Sequence, residues 1–198
     1  MNYIAVKMAK ACEAKDMDSF QSALLEITDL NPPDESSSPI IEVLYHDWRE
    51  GLEVLQNHVS WDKNWKLSKF NASMISFAVM AGSPNCCLKL LEDPVNLTEL
   101  DEHGRNLLRI ASENQNPDFA PVVQKLVALG VDLDLPCKQN KSARDILFPA
   151  PNARLTRPEM EIWRLAVRSG MSEWERGALQ EQTPSATPLI QQRVRRSL

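Results

Sequence analysis

Asp101–Asp134 reads DEHGRNLLRIASENQNPDFAPVVQKLVALGVDLD, and its punctuation decides the fold. Asp-x-x-Gly opens it as a turn. A short apolar-periodic segment follows at Leu107, Leu108, Ile110 and Ala111. The polar break Glu113–Asp118 separates this from a second apolar segment at Val122, Val123, Leu126, Val127 and Leu129. Gly130 stops the second segment where a left-handed helix terminus belongs. The order is turn, short helix, loop, short helix, glycine stop. Helices this short do not persist alone in water, so the unit requires packed neighbours.

Those neighbours are visible as repeats of the same pattern. Residues 68–97, SKFNASMISFAVMAGSPNCCLKLLEDPVNL, align with the central unit, and Ala78 lies 33 residues before Ala111. Asn71 stands where Gly104 stands later, and asparagine tolerates a left-handed backbone. Upstream, Ser38, Pro39 and Ile40 open another unit, with Ser38 placed 35 residues before Ser73. A second helix follows there through Trp48, Leu52 and Leu55. Downstream, Asn140, Ser142, Ala143 and Ile146 restart the pattern, with Asn140 placed 36 residues after Gly104. Pro149 and Pro151 end that first helix early.

The positions of Asp101, Gly104, Leu108, Ala111, Leu126, Gly130 and Asp132 resemble the ankyrin repeat. Units of that family read D-x-x-G-x-T-P-L-H-x-A-A-x-x-G, then V-x-x-L-L, then G-A-D. Asn106, Leu107 and Arg109 replace the family's Thr, Pro and His. Gln115 replaces the glycine after the first helix, and a short insertion sits at Pro117–Pro121. In the preceding unit Ser73, Met74, Ile75 and Ser76 take the Thr-Pro-Leu-His places. Ala78 and Val79 take the two alanines there, Gly82 the glycine, and Leu90 and Leu91 the two leucines.

The resemblance implies an all-α, ankyrin-like solenoid of stacked helix-turn-helix repeats with N- and C-terminal helical caps. The expected division is a repeat domain over 1–148, with an N-cap at 2–31 and repeats at 34–67, 68–100, 101–136 and 137–148. A C-terminal helical cap over 149–181 and a flexible basic tail over 182–198 follow. The N-cap reads as a helix pair, Tyr3–Ala14 and Asp18–Thr28, turning at Lys15-Asp16, and Asn31–Ser38 reads as a loop. Within the C-terminal cap, Pro158 opens a helix over Glu159–Arg168 with Met160, Trp163, Leu165 and Val167 apolar, and Gly170 ends it. Ser172 then caps a last helix, Glu173–Glu181, whose Trp174 and Leu179 could, with Met171, cover the end of the stack.

Composition narrows the function. Hydrophobic residues make up 43% and charged residues 25%, ordinary values for a globular protein. No apolar run reaches the length of a bilayer span, and the N-terminus lacks a signal peptide's apolar region. A cytoplasmic protein, or one exported by a route the sequence does not show, is expected, monomeric when unbound. The four cysteines form no C-x-x-C pair and read as reduced thiols, Cys86 and Cys87 within a packed second helix. The net charge of −5 is uneven. Residues 1–140 carry 12 basic against 21 acidic side chains, and residues 141–198 carry 10 against 6. An acidic body argues against nucleic acid and suits a basic protein partner.

Chemistry has little to stand on. His46, His58 and His103 do not lie at metal-ligand spacing, and the glycines form no phosphate-binding or nucleophile motif. No catalytic residue, metal or cofactor is expected. The resemblance places partner contacts at the turn tips and first-helix ends instead. These are Glu102, His103, Arg105, Glu113 and Asn114 in the central unit, and Lys69, Phe70, Ala72, Met80 and Ala81 in the one before. Asp34, Glu35, Tyr45 and His46 fall there in the first unit, and Lys138, Gln139 and Lys141 in the last. Trp61 and Trp65, before residue 68, read either as a buried pair filling an irregular junction or as an exposed hot spot for a partner. The expected function is non-enzymatic protein binding through a concave repeat face, as an inhibitor or immunity-type antitoxin. The alternatives are an adaptor or secreted microbial effector engaging host proteins, and an enzyme with a site in the C-terminal region.

Overall fold

A computed structural model describes residues 3–30, 38–67, 72–114, 116–148 and 158–170. Lys69, Phe70, Asp34, Glu35, Pro149, Pro151, Ser172, Trp174 and the 182–198 tail lie outside them, as do the side chains of Met160 and Trp163. The described chain is mostly helical. Its helices form pairs: α1 (Tyr3–Ala14) with α2 (Met17–Leu24), α3 (Pro39–Tyr45) with α4 (Arg49–Gln56), α5 (Met74–Ala81) with α6 (Pro84–Leu90), and α7 (Leu107–Glu113) with α8 (Ala120–Ala128). Then come α9 (Ala143–Leu147) and α10 (Pro158–Ser169).

The pairs stack in chain order. First helices touch first helices, α1 on α3, α3 on α5, α5 on α7 and α7 on α9. Second helices do the same, α4 on α6, α6 on α8 and α8 on α10. One continuous apolar core threads the stack from Met8 to Val167. Phe20 and Trp48 join the first two pairs edge to face, with ring centroids 4.9 Å apart. The close approach of Trp48 needs a glycine, because a Cβ on Gly51 would lie 2.6 Å from the indole. Trp61 and Trp65 are half-buried and pack against the core.

The helices start where their polar caps dictate. The hydroxyl of Ser73 accepts from the Ser76 N–H, the Asn106 side chain from the Arg109 N–H, and Ser142 forms a reciprocal capping box with Asp145. Asn106 also ties its unit shut by donating from Nδ2 to the Asp132 carbonyl at 2.6 Å. Ser38 behaves differently. It precedes α3 without capping it, and its hydroxyl donates to the Leu30 carbonyl at 3.0 Å.

Helix ends follow a shared rule that the sequence shows only once. The first helices of three pairs end in a left-handed residue, at Lys15 (φ 51°), Asp47 (φ 47°) and Gly82 (φ 75°). Each carries the same two hydrogen bonds back into the helix, for example Gly82 N–H to Val79 O and Ser83 N–H to Ala78 O. Asp47 offsets its unfavourable backbone by accepting from Cys86 N–H (2.9 Å) and Asn85 Nδ2 (2.7 Å), which ties one pair to the next. Helix α7 ends instead with Asn114 extended (φ −78°, ψ 107°), at the insertion before α8.

A feature absent from the sequence reading is a short antiparallel ladder. β1 (Lys66–Leu67) pairs with β2 (Ala72–Ser73), with Lys66 opposite Ser73. No helix among the described residues is long and apolar enough to cross a membrane.

Candidate functional site

On the side of the stack where tip turns meet first helices, a groove of about 340 Å3 opens between the α5 and α7 units. Its charged wall is built on the 101–105 turn. Gly104 is left-handed (φ 73°), which lets its N–H reach the Asp101 carbonyl at 2.9 Å. The Asp101 carboxylate then accepts the N–H groups of His103 (2.9 Å) and Arg105 (2.8 Å) and the Arg105 Nε at 2.7 Å. Burial opposes ionisation of Asp101, but these donors outweigh it and hold the carboxyl below its ordinary value.

Arg105 reaches onward to Glu113, which also takes the Arg109 guanidinium at 2.7 Å. Asp101, Arg105, Glu113 and Arg109 therefore form one chain of charges, of which Asp101 and Arg105 line the groove. Opposite them, Glu99 accepts from Lys66 Nζ (2.8 Å), Ser76 Oγ (3.1 Å) and Ser73 N–H (3.3 Å). Burial again works against the charge, and the three donors bring the Glu99 carboxyl below its usual range.

Between these walls the lining is apolar. Met80 on α5 is 43% exposed and Leu100 is 47% exposed, with Ala72 and Ile110 buried beneath. Tyr45 closes α3 at the place that Met80 holds on α5, and it is 68% exposed. Its ring meets His46 edge-on at 5.3 Å, and His46 Nε2 lies 3.8 Å from Glu42.

The sequence-predicted positions thus divide. Met80, Glu102, His103 and Arg105 line one groove. Glu113 joins it through Arg105, and Lys138 joins it from the next turn. The Lys138 Nζ donates to the Glu102 carbonyl at 2.6 Å, and its N–H donates to the His103 carbonyl at 3.0 Å. Tyr45 and His46 stand apart at the end of α3. Asn114 is half-buried against the α5–α6 turn, where its amide nitrogen would lie 2.9 Å from a Cβ on Gly82. Lys69 and Phe70 lie outside the described residues. Leu100 and Glu99 line the groove without having been expected there. The only hint was the spaced apolar run Val95, Leu97 and Leu100 leading into the turn.

His103 Nε2 faces the Glu102 carboxylate at 3.6 Å, and both side chains are exposed. Ser76 spends its hydroxyl on Glu99. Among the described residues, no group of three or more His, Cys, Asp or Glu could hold a metal ion. No family model matches the chain, and no curated protein matches it.

Proposed function

We propose that the chain is an ankyrin-like solenoid that binds a protein partner across the row of turn tips and first-helix ends. The observation that carries this reading is the groove itself. Met80 and Leu100 are exposed apolar side chains set between charged groups already paired with one another. Such a surface offers apolar anchors inside a polar rim, the usual anatomy of a protein interface. Tyr45 extends the anchors along the stack, and exposed Glu102 and His103 supply the rim. The stacking of first helices on first helices supports the repeat reading, because it sets equivalent positions in a row. The acidic body favours a basic partner, and neutralisation of a basic enzyme is the role that suits it best.

Affinity capture with the full chain tests this. Met80→Glu with Leu100→Glu is expected to weaken the captured protein by about tenfold or more, with the melting temperature unchanged. Lys125→Glu, on the exposed side of α8, leaves capture intact. Capture that survives the double variant and fails with Lys125→Glu would overturn the assignment of the face. A captured enzyme that keeps full activity when bound would remove the inhibitor role and leave an adaptor.

A further inference from the structure

A second cavity, of about 150 Å3, shares only Glu99 with the groove. Buried Met74, Ile75 and Leu90 line it where α5 begins and α6 ends. Half-buried Trp61 and Val95 complete the apolar lining. Two connecting segments supply the rest, the one after α4 with Trp61 and the one after α6 with Val95. The first is folded in tight turns, with Trp61 N–H donating to His58 O and Trp65 N–H to Asp62 O, both at 3.0 Å. The second is held by Thr98 N–H donating to Asn96 Oδ1 at 3.0 Å. The cavity therefore stands formed without a ligand, which lowers the cost of filling it.

The charged groups around it fall into two kinds. Lys66 and Glu99 are paired at 2.8 Å, and Glu99 also accepts from Ser73 N–H and Ser76 Oγ. Lys63 and Asp93 also line the cavity, both exposed. Neither has a hydrogen-bond or ion-pair partner among the described residues, and nor do the side-chain amides of Gln56 and Asn64. Lys63 belongs to the segment after α4 and Asp93 to the segment after α6. The described lining thus sets one unmet cation and one unmet anion beside an apolar interior. Drug-sized ligands fill roughly 300 Å3 or more, so this volume suits a single bulky apolar side chain.

We propose that this cavity binds a free apolar α-amino acid, with the side chain of leucine, methionine or phenylalanine inside and the zwitterionic head at the mouth. The carboxylate pairs with Lys63 Nζ and takes the Asn64 amide as a further donor. The α-ammonium pairs with the Asp93 carboxylate. The side chain packs on the Trp61 indole and on Met74 and Ile75, removing apolar surface from water. A simple carboxylic acid leaves Asp93 facing a like charge, and a simple amine does the same at Lys63. A residue inside a peptide chain carries neither head charge. Amino acids with polar side chains lose their hydration against Met74, Ile75 and Leu90 without a replacement bond. Binding here is independent of the protein-binding face, since Glu99, the residue common to both, has its oxygens already occupied.

Isothermal titration calorimetry of the full chain with L-leucine, L-methionine and L-phenylalanine tests this without a protein partner. At least one is expected to bind with a Kd of about 0.1–1 mM, while glycine and L-aspartate do not bind. Isocaproate and isoamylamine carry the leucine side chain with one head charge each, and each is expected to bind about tenfold more weakly than leucine. Lys63→Met and Asp93→Asn are expected to weaken the amino acid by about fivefold to tenfold. Both residues are exposed, so the melting temperature should hold. In NMR the indole N–H resonance of Trp61 should shift on binding. No binding of any of the three at about 10 mM overturns the proposal, as does binding that leaves the Trp61 resonance in place. N-acetyl-leucine amide binding as tightly as leucine also overturns it, because the cavity would then take a side chain of a protein partner. Isocaproate matching leucine would remove the role of Asp93 and with it the amino-acid assignment.

Discussion

The α7–α8 pair and the segment running from α9 to α10 begin alike and end differently. Both open with the same hydrogen-bonded turn, and both first helices carry a polar N-cap, Asn106 in one and Ser142 in the other. Helix α7 then meets α8 after a short insertion, and Gly130 (φ 79°) ends α8 with a bond from Val131 N–H to Leu126 O. Helix α9 is only five residues long, and the helix stacked beyond α8 is α10, which begins at Pro158. Arginines on α10 reach back to the end of α9. Arg164 Nε donates to Ile146 O and Arg168 Nη2 to Leu147 O, both at 2.8 Å. Arg168 also lies over the Phe148 ring, 5.0 Å from its centroid. The lesson is that a turn and a cap are local and survive at the edge of the stack. The closing of a pair is a tertiary event that can use arginine bonds to free carbonyls in place of a tight loop.

The largest expected effect sharpens that contrast through the core. Leu108 and Leu147 are both fully buried, the first inside the stack and the second near its end. Leu108→Ala is expected to cost about 3–5 kcal/mol and Leu147→Ala about 2–3 kcal/mol, measured by urea denaturation. Equal costs would mean that α9 is as firmly embedded as α7. The caps come next. Asn106 both caps α7 and holds the Asp132 carbonyl, whereas Ser142 bonds only within its own first turn. Asn106→Ala should cost about 2 kcal/mol and Ser142→Ala about 1 kcal/mol.

The smallest effect separates the two turns by pH. The Asp101 carboxyl is held below its unfolded value, so its contribution is fully present above the ordinary aspartate range. That contribution is lost as pH falls through the folded value. Acid titration followed by circular dichroism should show this loss, and Asp101→Asn should flatten it. The turn before α9 holds Cys137 in the place of Asp101 and contributes nothing in that window.

Much of the helical architecture was legible because it rests on local signals. Lys15-Asp16 marks the first turn, and Asp16 caps α2 through the N–H groups of Asp18 and Ser19. Ser73, Asn106 and Ser142 mark helix starts, and Gly82 and Gly130 mark stops. The left-handed stops at Lys15 and Asp47 were hidden, because neither is glycine and Asp47 is stabilised by partners two helices away. The β1–β2 ladder was hidden too, since two-residue strands carry no period. The row of turn tips and first-helix ends was legible as positions and not as chemistry. Sequence placed Arg105 and Glu113 on the surface, whereas folding joins them to each other and to Asp101. Leu100 lies just outside the motif, so nothing in the repeat pattern assigned it a contact role.

Hydrogen–deuterium exchange on the full chain, free and with its captured partner, tests the central claim most directly. The account predicts slowed exchange over residues 99–105 and at the C-terminal ends of α3 and α5. Protection confined to α4, α6 and α8, with the 99–105 turn unchanged, would contradict it.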